Sequence, residues 1–535
     1  MSSSSGSRRL SARCFFNLAA AAFPGESSAD SVGGAPSSMA SRGGGRPMPS
    51  SGGGFLHLEK GTNQMKVRVR QELEQHLDEL TRVVKSAGAA ANRKKEGSVY
   101  VGSPGMAYAF LKLAAYKRDT RRSAGGKGEE EEEERCYHRG LGGGEEEKKR
   151  QRKALMEVAQ NLLSEELLQS SLLQAKKHPS LGPSLLCGPA GLYLVLAIQA
   201  WQKEKEESLQ DDPSSSRGDD ATTSSSATSS SSSPPPSHGR TSSPSTSSPS
   251  PSSSPSSSSP SQSFLKAVKG YESYYSYALD KLDSDEWLYG RVGYLYGLLF
   301  LNYMHPSSVS NSSINDLAVR VLESGIECGR QVGVSPLMYS WHEKYYLGAA
   351  HGVLGILYIL MLVPSVRRDL NAMRYVKGTL DWILTLETEN QNYPACFGET
   401  QDYLCHFCHG ATGAVFTFSV ASVIFNHRDF QKAALRAAEC VWRYGLLKKG
   451  SGICHGISGS GYALLAVYKL TRDPIWLDRA IEFALKMFDE KLQADSRIPD
   501  NPFSLFEGLS GAICFLVDLL HNPLKSSFPF FELGF

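Results

Sequence analysis

The chain has 535 residues, of which 41% are hydrophobic and 21% are charged, and its formal net charge is +2 at pH 7. This near-neutral balance creates no overall field that would attract nucleic acid, so nucleic-acid binding is not expected. Ten cysteines, three of them directly followed by histidine, indicate a reducing compartment with functional thiols.

Three stretches are too biased in composition to bury a core: residues 1–54, about 119–150, and 207–263. Residues 211–263 are almost entirely Ser, Pro and Thr, and residues 129–134 are an unbroken run of Glu. Such composition is typical of solvated, disordered segments. We therefore predict a mostly disordered tail at 1–54 and a single domain over 55–535, interrupted by disordered insertions at about 119–150 and 207–263.

The N-terminal tail gives only a weak targeting signal. Residues 8–23 carry Arg8, Arg9 and Arg13, and the chain has no acidic residue before Glu26, which resembles a transit peptide weakly. A flexible Ser/Gly-rich start is the simpler interpretation. We expect a cytoplasmic protein, with a peripheral membrane or organellar fraction left open.

Seven Gly-x-x-Gly phrases run along the folded part of the chain, and each leads into an apolar run long enough for a helix. Their first glycines are Gly102, Gly188, Gly290, Gly352, Gly410, Gly456 and Gly508. Without the two insertions, all six spacings are about 45–60 residues, the length of two helices and two turns in a helical repeat. The phrases therefore predict seven tandem helical units.

The segments between the phrases are amphipathic. Asp429–Tyr444 is one such segment, with Gly445 at the C-cap position, and Asp473–Leu492 is another, with Pro474 suited to a first helical turn. Alternating buried and amphipathic helices predict an all-α fold, an α/α toroid of seven inner and seven outer helices. All seven glycine turns would then lie at one end of the barrel, around a central cavity.

A protein with seven membrane spans is the alternative. Residues 345–366 and 181–202 contain no Asp, Glu, Lys or Arg and are long enough to cross a bilayer. The sixth and seventh apolar runs are shorter, however, and every run begins with helix-weakening glycines. The amphipathic segments would also give the inner helices a soluble coat, so we expect no transmembrane span.

The candidate metal-binding residues lie directly before the first glycines of the phrases. The fifth and sixth phrases repeat Cys-His-Gly, so that Cys408, Cys454 and His455 would lie on one ring of turns. Two thiolates and one imidazole form a catalytic zinc site with an open fourth position. The alternative is buried thiols and core histidines. The simpler interpretation of His409 is that it supports its turn, and the simpler interpretation of Cys405 is that it is a packing residue.

Several stretches resemble the LanC-like family, the eukaryotic relatives of bacterial lanthionine cyclases. They include HFCHGATG, YGLLKKGSGICHGISGSGYALL, DEWLYGRVGYLYGLLF and PDNPFSLFEGLSGAICFLVDLL. Near the start, RCFFN resembles the family's Arg-x-Phe-x-Asn segment. Phe407 stands where the family usually has Trp, and Thr412 where it has Pro, and neither position is a ligand. The resemblance implies an α/α toroid that holds zinc through Cys408, Cys454 and His455.

The resemblance also implies glutathione as co-substrate and phosphorylated or dehydrated proteins as partners. The reaction would eliminate phosphate from phosphoserine or phosphothreonine and add glutathione to the resulting dehydroalanine or dehydrobutyrine. His351 is assigned the catalytic acid–base role. Lys449, Arg13 and Glu286 are assigned to substrate binding, and Glu286 is also expected to orient His351. The alternative function is a zinc- and glutathione-binding signalling adaptor without turnover.

Overall fold

The computed structural model describes residues 55–93, 96–119, 145–210 and 259–535. The predicted tail at 1–54, including Arg13, lies outside these residues. Two helices extend into the ranges where we expected disordered insertions: Glu145–Leu162 begins before residue 150, and Pro189–Gln210 continues past residue 207. The helix Gln262–Glu272 begins just before the second of these ranges ends.

Seven inner helices form a closed ring, and each begins directly after the first glycine of one phrase. Each packs on the next, and the last packs on the first. They are Ser103–Asp119, Pro189–Gln210, Arg291–Met304, Val353–Leu362, Ala411–Ile424, Ile457–Thr471 and Leu509–His521. Val353–Leu362 illustrates their character, because nine of its ten residues are buried. Helices that are apolar on every side must be enclosed by other helices.

Seven outer helices cover this ring. They are Val67–Arg93, Glu145–Leu162, Gln262–Glu272, Asn311–Val332, Leu370–Leu384, Arg428–Tyr444 and Pro474–Lys486. Arg428–Tyr444 buries one face, built on Phe430, Ala434 and Val441, and Gly445 is its C-cap, as predicted. The described residues therefore confirm the all-α toroid with two concentric layers of helices.

One helix boundary differs from the prediction. The amphipathic segment Asp473–Leu492 was expected to be one helix, but it ends at Lys486, and a short helix, Glu490–Ala494, follows. The side chain of Asp489 accepts a hydrogen bond from the Leu492 amide at 3.0 Å and so caps the new helix. Asp473 and Pro474 do begin the first helix as predicted.

The remaining elements are short. The helices are Glu165–Lys177, Tyr275–Asp280 and Pro364–Arg368, with single 3-10 turns at Pro179–Leu181 and Pro523–Lys525. Within the described ranges the extended backbone pairs only as three isolated bridges. No helix in these ranges is long and apolar enough to cross a membrane.

The second glycine of each phrase is required by close packing. In all seven phrases, a Cβ at that position would overlap the carbonyl oxygen of the residue six positions earlier. At Gly459, for example, it would overlap the carbonyl oxygen of Ile453. Gly410 adds a backbone requirement, because its φ of +104° is rarely accessible to other residues. The repeated phrase is therefore a tight turn that returns the chain across the start of its own helix.

The C-terminal segment fills the centre of the ring with aromatic side chains. Phe528 and Phe531 are fully buried, and the Phe528 ring stacks on Phe407 at 4.1 Å between centroids. The indole N–H of Trp287 donates to the carbonyl oxygen of Phe530 at 3.1 Å. Because Phe407 and Trp287 belong to the segments that lead into the glycine turns, this aromatic core lies directly behind the turns.

Candidate active site

The seven glycine turns are joined to one another by hydrogen bonds. Cys408 N–H donates to the carbonyl of Cys454 at 3.4 Å, and Cys454 N–H donates to the carbonyl of Phe506 at 2.9 Å. Further backbone hydrogen bonds join Phe506 to Tyr100, Tyr100 to Leu186, Trp287 to Ala350 and Ala350 to Cys408. The Ser184 hydroxyl donates to the carbonyl oxygen of Leu288 and so links the second turn to the third. The circle closes, so every turn lies at the same end of the barrel.

This circle brings together the three predicted metal ligands. The two sulfurs of Cys408 and Cys454 and a ring nitrogen of His455 all lie within 4.8 Å of one another. Both thiols are buried, with 8% and 3% of the side chains exposed. The three donors come from two consecutive turns, as the repeated Cys-His-Gly phrase predicted.

The electrostatics of this cluster suit a bound cation. The pKa of Cys454 is raised well above its usual value, first by the hydrogen bond with the Cys408 thiol and then by burial. Two adjacent buried thiolates are therefore unfavourable without a compensating positive charge. Two sulfurs and one imidazole match the protein donor set of a catalytic zinc ion.

His455 responds to the same surroundings. Burial alone would lower the pKa of its imidazole, but the neighbouring Cys454 thiolate and Glu507 outweigh burial and raise it. Glu507 is the residue before the first glycine of the seventh phrase. Its carboxylate also accepts a hydrogen bond from Asn501 Nδ2 at 3.2 Å.

A second pair of polar groups lies on the ring of turns. Nδ1 of His351 is 2.7 Å from a carboxylate oxygen of Glu286, which is 2% exposed. The same carboxylate accepts the backbone N–H groups of Leu288 and Tyr289. These donors fix the carboxylate, and the carboxylate fixes the imidazole, which leaves Nε2 of His351 for proton exchange. The predicted pair is brought together by the structure.

Aromatic rings surround His351. The indole of Trp341 lies parallel to the imidazole, with 4.0 Å between ring centroids and 3° between the ring planes. Tyr289 is close to parallel with both rings, and Tyr346 and His409 lie within about 6 Å of His351 by ring centroid. The indole of Trp341 therefore covers one face of the His351 imidazole.

Two further histidines lie on the same segment as Cys408: His406 is buried and His409 is half-buried. Burial lowers the pKa of both His406 and His409 to about 3, with nearby cations adding to the effect. Nδ1 of His406 is 4.0 Å from the sulfur of Cys408. Nδ1 of His409 is buried without a hydrogen-bond partner among the described residues. His409 was predicted to support its turn, and its Nδ1 makes no hydrogen bond to the described residues in doing so.

Lys449 lies at the exposed edge of this region. Its positive charge adds to the effect of burial in lowering the pKa of His406 and His409, and it partly opposes the rise in the pKa of His455. Beside it opens a cavity of about 260 Å³. The lining is mainly apolar, with polar groups from Ser451, Gln493 and Arg497.

Sequence reasoning assigned no role to Trp341 or Arg497. Neither residue belongs to a glycine phrase, and neither neighbours one in sequence. The aromatic-rich run that contains Trp341, MYSWHEKYY, was the available signal. Cys405 is buried in the core with its sulfur 3.8 Å from the Thr412 hydroxyl, in line with the predicted packing role.

Comparison with known proteins bears on the same part of the chain. The family profile described as "Lanthionine synthetase C-like protein" matches residues 246–533, which is more than half of the chain. Glutathione S-transferase LANCL1 of Danio rerio is 41% identical over 253 residues, 46% of this chain and 62% of that protein. LanC-like protein GCL1 of Arabidopsis thaliana is 36% identical over 252 residues, 46% of this chain and 57% of that protein.

The aligned region thus spans less than two thirds of the length of each of these relatives. Among solved structures, nisin cyclase superimposes with a TM-score of 0.50 at 14% sequence identity, covering 86% of this chain and 100% of that one. At this identity the likeness concerns the fold, and it agrees with the toroid described above.

Proposed function

Because the chain belongs to the lanthionine synthetase C-like family, we propose that it is a zinc-dependent enzyme that attaches glutathione to proteins through a thioether. It would eliminate phosphate from phosphoserine or phosphothreonine and then add the glutathione thiol to the dehydroalanine or dehydrobutyrine formed. The observation that carries the proposal is the convergence of Cys408, Cys454 and His455 within 4.8 Å, beside the paired His351 and Glu286.

Cys408, Cys454 and His455 would hold one zinc ion. The Cys408 thiol and burial raise the pKa of Cys454, and a divalent cation would offset that cost of ionisation. When bound, zinc would supply Lewis acidity that lowers the pKa of a thiol at the open position, so that glutathione reacts as a thiolate at neutral pH.

His351 would move the proton. In the elimination, its free Nε2 takes the proton from the α-carbon of the phosphorylated residue. The Cα=Cβ bond forms as the Cβ–O bond breaks, and phosphate leaves with the bonding electrons. In the addition, the glutathione sulfur bonds to the β-carbon and His351 returns the proton to the α-carbon. The proton of the thiol passes through solvent to the released phosphate. Glu286 would keep the imidazole in one tautomer and orientation.

Lys449 would stabilise the leaving phosphate. Its ammonium group lies at the exposed edge of the site, and its charge acts on three of the site histidines. The cavity lined by Gly450 and Ser451, the two residues after Lys449, would take part of the glutathione molecule. Arg13 is proposed as a second cation for the substrate on the resemblance alone.

We expect the protein to work in a reducing compartment. All eight cysteines in the described ranges are free thiols. We therefore propose a cytoplasmic protein whose partners are glutathione and phosphorylated or dehydrated proteins.

Mass spectrometry of a model substrate tests the function. The purified protein is incubated with a phosphoserine peptide and glutathione, and with the matching serine peptide as control. The phosphopeptide should become the glutathione thioether, and the serine peptide should not react. If the protein binds glutathione but leaves the phosphopeptide unchanged, it is a zinc- and glutathione-binding adaptor instead.

A further inference from the structure

We propose that Trp341 is a positioning residue for His351, holding the imidazole in the plane required for proton transfer by stacking on its face. This inference rests on the proposed function, because it assigns His351 the acid–base role. It adds a residue that lies outside every repeated phrase.

The contact between the two rings is unusually close and parallel. Their centroids are 4.0 Å apart and their planes differ by 3°. Tyr289 adds a ring close to parallel with both, 6.1 Å from Trp341 and 6.5 Å from His351. Glu286 holds His351 at its edge through Nδ1, at 2.7 Å. One face and one edge of the imidazole are therefore held, and Nε2 is the atom left to act.

The backbone around Trp341 is built to hold the indole in place. Trp341 and Lys344 exchange backbone hydrogen bonds of 2.9 and 3.1 Å across a two-residue turn. The turn residues, His342 and Glu343, have φ of +47° and +59°. Both values lie in the left-handed region that a type I′ turn requires and that favours Asn and Gly over these side chains.

The segment that follows this turn is anchored independently. Leu347 N–H donates to the carbonyl of Ala395 at 2.9 Å, and Phe397 N–H donates to the carbonyl of Tyr345 at 2.8 Å. The turn thus projects from a fixed base, and its first residue lies over the imidazole. Strained backbone of this kind is concentrated where surrounding structure holds a functional group.

Stacking would serve proton transfer in two ways. It prevents rotation of the imidazole about the bond to its Cβ, so Nε2 stays aligned with the substrate α-carbon. The electron-rich face of an indole also attracts a cation, so the protonated imidazole formed by proton abstraction stays in the same place. A small misplacement of a reacting group can cost about 100-fold in rate.

The kinetic test uses three variants. Trp341→Leu removes the aromatic face, Trp341→Phe keeps one, and Trp442→Leu removes another half-buried tryptophan from an outer helix as a matched control. With a phosphoserine peptide and glutathione, Trp341→Leu should lower kcat by about 10- to 100-fold with little change in KM. Trp341→Phe should recover most of the rate, and the control should match wild type.

A second comparison separates positioning from general damage. In the His351→Asn background, Trp341→Leu should cause no further loss, because both changes would remove the same function. An additional loss of the same size as in the wild-type background would overturn the proposal. So would an equal loss in Trp341→Leu and Trp341→Phe.

A spectroscopic measurement tests the stacking of Trp341 on His351 even if no turnover is found. The NMR signals of the His351 ring, identified by their absence in His351→Asn, should be shifted upfield by the ring current of Trp341. They should move downfield in Trp341→Leu. If they do not move, the stack is absent and the inference fails. If they move while the wild-type protein shows no turnover, the proposed reaction fails while the contact stands.

Discussion

The backbone N–H of Cys408 donates a hydrogen bond to the carbonyl oxygen of Cys454, at 3.4 Å. The adjacent Phe407 N–H donates to the same carbonyl at 3.1 Å. The distance between the two sulfurs is therefore set by main-chain contacts between consecutive turns, and these contacts belong to a circle that includes all seven. It follows that the fold itself arranges the three candidate metal ligands.

Loss of a ligand should remove the metal without unfolding the toroid. We expect purified wild-type protein to contain about one zinc ion per chain, and Cys408→Ala or Cys454→Ala to contain almost none, because three protein ligands are the minimum of a catalytic site. Elemental analysis of the dialysed proteins measures this, and circular dichroism checks the helical content. Cys514→Ala, which alters another fully buried thiol, is the control and should retain its zinc.

Removal of the acid–base pair should lower turnover and leave zinc in place. His351→Asn should reduce kcat by about 10²- to 10⁴-fold, the usual contribution of a positioned general base. Glu286→Gln should have a smaller effect, because the amide can still accept from the imidazole but carries no charge. Rates with phosphopeptide and with a preformed dehydroalanine peptide measure the two steps separately. Unchanged rates for His351→Asn in both assays would exclude its assigned role.

The turn that carries Trp341 should become more stable when its strain is relieved. Glu343 has a φ of +59°, where glycine is preferred over other residues by about 1–2 kcal/mol. Glu343→Gly should therefore raise the free energy of unfolding slightly, by about 1 kcal/mol, once the greater freedom of glycine in the unfolded chain is included. Lys344→Gly, one position later and without a positive φ, is the control and should destabilise. Urea denaturation of both variants distinguishes these signs.

A buried histidine on the outer helix Val67–Arg93 should make the fold sensitive to acid. Burial lowers the pKa of His76 from 6.5 to about 4, and its ring stacks on Phe488 at 3.7 Å between centroids. The unfolded chain therefore binds a proton near pH 6.5, whereas the folded chain does not until about pH 4. The stability that neutral His76 contributes is fully present above pH 6.5 and is lost as the pH falls towards 4.

Replacement of His76 by an aromatic residue that does not ionise tests this. His76→Phe keeps the stack, so its free energy of unfolding should fall less steeply than that of wild type between pH 6.5 and 4. Denaturant titrations at several pH values give the two slopes. Equal slopes would mean that His76 is not protonated on unfolding in this window.

Much of this architecture could be predicted because its local causes recur in the sequence. Each glycine phrase marks a place where a side chain would overlap a carbonyl oxygen, so the phrase repeats wherever an inner helix begins. The metal ligands followed from the same repetition, since Cys408 and Cys454 hold equivalent places in consecutive units. The pairing of Glu286 with His351 was expected from the resemblance, and the structure adds its geometry.

The features that were missed depend on contacts that no local pattern encodes. Trp341 reaches His351 through a turn whose residues, His342 and Glu343, are not those that favour positive φ. The break after Lys486 depends on capping by Asp489, which competes with continuation of an amphipathic pattern. In both cases tertiary packing or a single hydrogen bond outweighed the propensity of the segment.

X-ray absorption at the zinc edge tests the central claim most directly. In the purified protein, the account predicts two sulfur neighbours and one imidazole nitrogen around zinc, with a lighter atom completing the set. Addition of glutathione should raise the sulfur count from two to three. A shell without sulfur, or a count that does not change when glutathione is added at saturating concentration, would contradict it.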